Sequence, residues 1–542
     1  KYFVYFCKMM RRIFYFAILF FVILTFVNCA KRGNPSGGSK DSIPPIIIKY
    51  KPENYSINFT DDEIKIYFDE YIKLIDINKE LIISPPLKYQ PEITPLSTGK
   101  FIKINIKDTL KKNTTYSFNF GKSIVDYTEG NVFKYFKYIF STGNFIDSLN
   151  LKGTVKDPLL LNPEGTTTVM LYEVNEAFND SVIYSKKPTY ITTTKEESQE
   201  FELTNLKEGT YFLIALKDKT NDYIFQPKYD KIGFLEGMIS LPTDSSFTIN
   251  IFKETESYKI KKPKHESKNH IIFGYNGEAK NLKIELKSSV PKDFESTSYK
   301  DSKSDTLHYW FKPFVENDSL IFTVKNKNNL DTVVTKMRDL FVDTLLVKPI
   351  NAGVLTPRDT LKFSATTPLT LFNSEKVTII NKDSAVIPFK GVIDYRFNTA
   401  FLSFDIKTTE SYAIQLLPGA FIDFFEQTND TINVRVRTKD NSDYGTLNLI
   451  LSEPKQLPIL VQLVNTNYEV IQEKYYTGDE SILFEYINPG EYYIRIIYDE
   501  NKNKRWDTGS YLKKIQPETV LYYPKKIEIR PNWSLVETFN LE

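Results

Sequence analysis

FELTNLKEGTYFLIALKD (Phe201 to Asp218) aligns without gaps to ILFEYINPGEYYIRIIYD (Ile482 to Asp499). Gly209 meets Gly490, Tyr211 meets Tyr492, and Asp218 meets Asp499. Each copy reads apolar-x-apolar-x-x-apolar-x-x-Gly-x-Tyr and then an apolar strand that stops at Asp. The period and the Gly predict two strands joined by a tight turn. The Gly supplies the turn, the Tyr enters the next strand, and the Asp organises the loop after it through side-chain to backbone bonds.

Working outward, the same signal recurs from residue 44 onward. Ile102, Ile104 and Ile106 alternate with Lys103, Asn105 and Lys107. Tyr116, Phe118 and Phe120 alternate in the next stretch, as do Ile432, Val434 and Val436 far downstream. A period of two, interrupted by Asn, Asp, Gly and Pro, predicts antiparallel sheets with one face in a core. No long helical pattern comes after the N-terminal segment, so the reading is all-β. The high aromatic content, 14% with Tyr 35 and Phe 40, agrees with strands.

A second repeat subdivides the chain. YSFNFGKSIVDYTEGN (Tyr116 to Asn131) parallels YAIQLLPGAFIDFFEQTN (Tyr412 to Asn429). Upstream of each lies a matching pair of strand patterns, so each unit approaches about a hundred residues, the size of an immunoglobulin-type sandwich. The expected limits are a sandwich over 44–148, another over 149–255, a basic linker over 256–267, a sandwich over 268–345, an Ig-like repeat over 346–443 and a last sandwich over 444–542. In the linker, KIKKPKHESKNH, charge dominates, and a solvated segment is expected.

The segments PPIIIKYKPEN, IKIYFDEYI, TTYSFNFGKSIVDYTEGN and YIFSTGN resemble the bacterial Ig-like domain of surface-layer proteins and Bacteroidota lipoproteins. The Phe68-Asp69-Glu70 strand and the turn from Ile124 to Asn131 carry that resemblance. The Gly-x-Tyr repeat resembles transthyretin-like sandwiches such as carboxypeptidase regulatory domains. The expected architecture is a tandem array of Ig-like and transthyretin-like β-sandwiches. The Ig-like resemblance implies an interaction or spacer module and carries no catalytic residues.

The N-terminus specifies a compartment. Arg11 and Arg12 precede the apolar run Ile13 to Val27, with Asn28 and Cys29 next. That run is short for a membrane span, which needs ~20 residues, and suits a signal-peptide core with a start at Met9 or Met10. The order of core, Cys and Gly/Ser/Pro-rich stretch resembles a bacterial lipoprotein signal. It implies removal of residues 1–28, acylation of Cys29 (palmitate among the acyl groups), and a flexible tether over 29–43. Cys7 lies before the start, so no disulfide forms in the mature chain. Several acyl chains would anchor it stably. The expected location is the outer membrane; the tether leaves the periplasmic or surface face open.

Chemistry is sparse. His265, His270 and His308 belong to no metal motif, with the first two in the expected linker. No Gly-x-Ser-x-Gly elbow occurs, and GKS at Gly121 to Ser123 reads as a turn. The expectation is a non-enzyme with no cofactor. A formal charge of +2, from 70 basic and 68 acidic residues, argues against nucleic acid.

One loop invites a metal. In DENKNKRWDTG, Asp499, Asn501, Asn503 and Asp507 fall at positions 1, 3, 5 and 9 of an EF-hand-like loop. Lys504 replaces the Gly at position 6 and Ser510 the Glu at position 12, and Lys502, Lys504 and Arg505 cancel the acids. An Asx-type turn is the preferred reading, with structural calcium as the alternative. Trp506 aligns with Phe225 as an aromatic plug.

These features point to a lipid-anchored envelope scaffold, its sandwiches forming a semi-rigid rod that docks with outer-membrane proteins such as a barrel-assembly complex. Two alternatives stand beside it. One is a glycan-binding surface lipoprotein, with Trp310, Trp506 and Trp533 as sugar-stacking candidates. The other is an adhesin with structural calcium.

Overall fold

The computed structural model describes residues 41–541 apart from Ala177, Lys280, Glu453, Asp479 and Glu480. The signal segment, Cys29 and the tether up to residue 40 lie outside the described residues. The fold is all-β, and its helical elements are single turns. Contacts divide the chain into two units, the first ending at Ile146 and the second running from Asp147, with Ser84–Pro86 assigned to the second.

The first unit is one sandwich. Glu63–Leu74 pairs with Ile47–Lys51 on one side and Gly99–Asn105 on the other, in register Ile64 with Ile104 and Ile66 with Ile102. A facing sheet is built from Ile82–Ser84, Thr115–Asn119 and Lys137–Ser141. Ile64, Ile66, Ile102, Ile104, Phe118 and Phe140 are completely buried between them. This is the direct result of alternation: residues two apart share a face, so every second apolar residue reaches the core.

The second unit holds four sandwiches. In the first of them Tyr190–Thr193, Thr168–Glu173, Gly209–Lys217 and Lys231–Phe234 form one sheet, faced by Glu200–Leu206, Leu149–Lys156 and Ser246–Asn250. The last sandwich repeats this strand for strand: Val470–Tyr476, Ile459–Asn465, Gly490–Tyr498 and Val520–Tyr522, faced by Ile482–Ile487, Gly445–Ser452 and Ser534–Asn540. In both, the final strand pairs in parallel with the first, which identifies a duplicated topology. The quoted repeat is its central hairpin. Gly209 and Gly490 sit at φ 156 and 157. Tyr211 Oη donates to Lys207 O at 3.1 Å and Tyr492 Oη to Asn488 O at 2.8 Å, so each tyrosine ties down the turn before it.

The other repeat is equally physical. Tyr116 Oη accepts Lys111 N–H at 2.9 Å and Tyr412 Oη accepts Lys407 N–H at 2.8 Å. The Tyr412 sandwich joins a sheet of Val347–Pro349, Leu361–Ala365, Thr399–Phe404 and Phe389–Asp394 to one of Gly353–Leu355, Ile432–Thr438, Ser411–Leu416 and Val377–Asn381.

The expected linker over 256–267 is a correction. Lys259–Ile260 and Lys264–Ser267 are strands of the third sandwich, both paired with His270–Asn276. Lysines dominate this stretch, yet His265 and Ser267 are buried. His265 Nδ1 accepts Arg338 N–H at 3.1 Å, which leaves Nε2–H to donate to Lys268 O at 3.2 Å. The charge masked a short amphipathic alternation. His265 and His270 are therefore strand residues inside a sandwich rather than solvated linker residues.

The rod is also corrected within the second unit. Lys300 N–H donates to Arg396 O between the third and fourth sandwiches, and Arg358 pairs with Glu485 between the fourth and fifth. Arg505 meets Glu278 at 3.3 Å between the fifth and third. The fifth sandwich packs directly on the second as well, through a seam that sequence order does not suggest.

Candidate functional site

That seam grows out of the loop after Asp499. Asp499 is completely buried, and its carboxylate accepts Asn503 N–H at 3.0 Å and Lys504 N–H at 2.8 Å. Glu518, also buried, returns from the far side. Its two oxygens accept Glu500 N–H at 3.0 Å and Asp507 N–H at 2.8 Å, while its carbonyl accepts the Trp506 indole N–H at 3.1 Å. Burial raises the Glu518 pKa, with Asp507 and Asp499 adding to the rise. The loop is thus held by two acids whose oxygens are spent on backbone donors.

Of the four calcium-type positions, Asn501, Asn503 and Asp507 come together. Both asparagine amides donate to Asp507 Oδ2, and Arg505 Nε lies 3.2 Å from Asp507 Oδ1. Asp499 instead spends its two oxygens on the backbone N–H groups of Asn503 and Lys504. The donor set fits a calcium ion poorly: amide N–H groups and a guanidinium face the half-buried Asp507 carboxylate, where a cation needs oxygens. Among the described residues no three His, Cys, Asp or Glu side chains converge to hold a metal ion.

The loop then reaches into the second sandwich. Tyr511 is completely buried among Tyr184, Phe212 and Phe234, with ring centroids 5.4 to 6.3 Å away. Its hydroxyl donates to Asp180 O at 2.9 Å and its N–H to Glu254 Oε1 at 2.6 Å. Thr508 Oγ1 donates to Lys253 O at 2.6 Å and Gln516 Nε2 to Phe234 O at 2.9 Å. Lys514 lies over the Tyr511 ring at 4.0 Å and pairs with Asp180 at 3.1 Å. Gly509 is required here, because a Cβ would come within 2.6 Å of both Ile515 O and the Phe252 ring.

Further along the seam, buried Arg495 donates through Nη1 to Leu159 O at 3.1 Å and through Nε to Gln462 Oε1 at 2.7 Å. Tyr522 Oη donates to the same Leu159 carbonyl at 2.6 Å. A cleft of about 510 Å³ lies between the two sandwiches, lined by Asp157, Leu160, Gln199, Glu518 and Tyr522 among others.

Residues 41–142, the first sandwich, match the bacterial Ig-like domain family. In this sandwich Asp126 closes the turn that carried the resemblance, accepting the N–H groups of Glu129, Gly130 and Asn131 at 2.6 to 3.0 Å. No curated protein sequence matches the chain. Among solved structures, domains 1–6 of the surface layer protein SbsC are 11% identical, with 90% of this chain and 67% of that one covered at a TM-score of 0.15. SGBP-B of the Bacteroides ovatus mixed-linkage glucan utilization locus, solved with a heptasaccharide, is 11% identical over 70% of this chain and 92% of that one, at a TM-score of 0.19. The sandwich assignment rests on the strand registers above and on the bacterial Ig-like match.

The tryptophans separate. Trp310, a sugar-stacking candidate, is buried in the third sandwich and stacked on His270 at 3.9 Å, so it offers no platform; this is a correction. It lies within a packed aromatic row, where Tyr299 stacks on His308 and His270 Nε2 lies 2.9 Å from His308 Nδ1. Burial, with His308 beside it, lowers the His270 pKa to about 3. Trp506 is half-buried as the plug of its loop, and Trp533 is exposed beneath Arg530 at 4.9 Å.

Sequence reasoning missed Tyr511, Glu518 and Arg495. Only Arg495 left a signal: it stands where the aligned copy has Ile214, a charge at a strand position that is completely buried in the other sandwich.

Proposed function

We propose that this chain is a non-catalytic, lipid-anchored scaffold of a bacterial cell envelope that binds outer-membrane proteins as an accessory lipoprotein. The observation that carries this reading is the seam. Tyr511 and Arg495 lock the fifth sandwich to the second, so the third and fourth sandwiches are held at both ends. A platform fixed in this way presents partner-binding faces without the ordering cost of loosely strung domains. Cys29 supplies the anchor, and the Gly/Ser-rich tether the reach. The test is cross-linking of the full chain in intact envelopes, then detergent extraction and mass spectrometry. A defined outer-membrane partner that is lost when Cys29→Ala abolishes acylation supports the scaffold; recovery of the chain alone would sink it.

Glycan binding is the second reading, favoured by a shallow concavity of about 600 Å³ on the fourth sandwich. Exposed Tyr395 and half-buried Phe401 line it beside the Arg396–Asp394 pair, which offers paired donors and acceptors at 2.8 Å. Rings and a bidentate pair suit pyranose faces and hydroxyls. Affinity electrophoresis on a panel of neutral and acidic polysaccharides tests it, with Tyr395→Ala and Trp506→Ala as variants. Unretarded migration on every polysaccharide would discard it.

A further inference from the structure

We infer that the opposite sheet of the fourth sandwich binds an acidic glycan, a sugar chain bearing carboxylates or sulfates. On strand Ile432–Thr438, Val434 and Val436 enter the core, while Asn433, Arg435 and Arg437 face solvent. The register sets Arg435 beside Ala413 and Arg437 beside Ser411, with Val354 of the parallel neighbour on the other side of Arg437. These residues line a concavity of about 510 Å³ together with Gly353, Lys382 and Ser384.

Two features identify the ligand's chemistry. The first is unspent charge. Arg358, Arg396, Arg505 and Arg530 each hold a carboxylate, at 2.8 to 3.3 Å for the last three. Among the described residues, Arg435 and Arg437 hold none; Arg495 is spent on Gln462 and Leu159 O, and exposed Arg338 stands without a second arginine beside it. The other solvent-facing positions of this sheet, Thr378, Ser411, Ala413, Gln415 and Asn433, are uncharged. Glu410 stands at the rim, but its Oε1 accepts the Lys382 and Ser411 N–H groups at 3.2 and 3.0 Å. Asp383, in the adjoining turn, is the other acid near Lys382.

The second feature is spacing. Residues two apart on a strand project from one face about 7 Å apart. Two planar guanidinium forks at that separation can each take a carboxylate or sulfate in bidentate fashion, so successive anionic groups on one chain are matched. Small Ala413 and Gly353 leave the floor open. A narrow polymer enters a concavity walled by strands. Val354 and Val386 are exposed beside the concavity, but a bilayer surface would instead call for larger protruding tips, Trp, Phe or Leu, to insert.

This assignment deepens the glycan-binding reading, and its failure is distinguishable from failure of that reading. The full chain in detergent is titrated with polygalacturonate, dextran sulfate and neutral dextran, and floated with vesicles containing anionic phospholipid. The expected result is binding to the two acidic polymers that weakens between ~50 and ~300 mM salt. It falls at least tenfold in R435Q/R437Q and is partly restored in R435K/R437K, with unchanged melting temperature. Neutral dextran is not bound. Equal binding of acidic polymers by wild type and R435Q/R437Q overturns the site, as does no binding at all. Vesicle binding that needs the two arginines, without polymer binding, overturns the glycan assignment in favour of a lipid headgroup. Neutral-glycan binding that ignores them would leave the glycan reading standing and remove this site.

Discussion

The loops after Asp218 and Asp499 began as copies and now do different work. Both open with the same device. Asp218 accepts the N–H groups of Thr220, Asn221 and Tyr223, as Asp499 accepts those of Asn503 and Lys504. Both also have a second acid on the return side: buried Asp230 accepts Lys219 N–H at 3.1 Å and Gln226 N–H at 2.8 Å, playing the part Glu518 plays in the other copy. The two loops part at their aromatic residues. The first closes on its own sandwich through Phe225, which is buried beside Tyr184. The second has a longer return, and the extra chain carries Gly509, Tyr511 and Lys514 into the first copy's aromatic cluster. A duplicated turn was thereby converted into a strap between the duplicates.

The largest effect should come from breaking the strap. Tyr511→Ala removes a completely buried ring from the seam and should cost about 3–5 kcal/mol. Calorimetry of the full chain should then show the fifth sandwich melting separately from the second; one unaltered transition would mean that the seam contributes little. Next come the shared turns. Asp499→Ala orphans two backbone donors around a buried position and should cost about 2 kcal/mol, against about 1 kcal/mol for the half-buried Asp218→Ala. Denaturant unfolding of the two variants measures the gap, and equal losses would mean that the copies are still energetically alike.

A smaller effect is a pH slope. Burial raises Glu518, so the folded chain binds that proton more tightly than the unfolded chain does. Its contribution to stability therefore declines as pH rises from the unfolded value of 4.5 through the raised folded value. Lowered groups elsewhere, Asp126 and Asp440 among them, slope the other way, so the informative quantity is the difference between wild type and Glu518→Gln. That difference should vary with pH across this window and be flat above it. The smallest expected effect is none: millimolar calcium should leave the melting temperature of the full chain unchanged, because the oxygens of Asp499 and Asp507 already accept the loop's own N–H groups. A saturable rise would replace the Asx turn with a calcium site and sharpen the contrast with the Asp218 loop.

Legibility tracked distance along the chain. Ile102, Ile104, Phe118 and Val434 were readable as core because alternation is local, and so was the duplicated Gly-x-Tyr hairpin. The strand at Lys264–Ser267 was hidden because its inward residues, His265 and Ser267, are polar, and each relies on a partner over seventy residues away, Arg338 N–H for His265 and Asp343 for Ser267. Trp310 could be named both as a sugar-stacking candidate and as strand packing, and nothing nearby in sequence announced His270 as the partner that decides for packing. The arginines at 435 and 437 were visible as the polar half of a strand; their lack of carboxylate partners was not.

By itself, the sequence determined the all-β class, the duplication, the turn chemistry of Asp218 and Asp499, and the expectation of a lipidated Cys29. Each depends on period, spacing or residue type within a few positions. Only the tertiary structure decided that the fifth sandwich straps onto the second, that Arg495 is buried against Leu159, and which charges remain unspent. Those outcomes depend on contacts between residues far apart in the chain, where shape and burial choose the partner; the pattern marked Arg495 as unusual against Ile214 but not what it would meet.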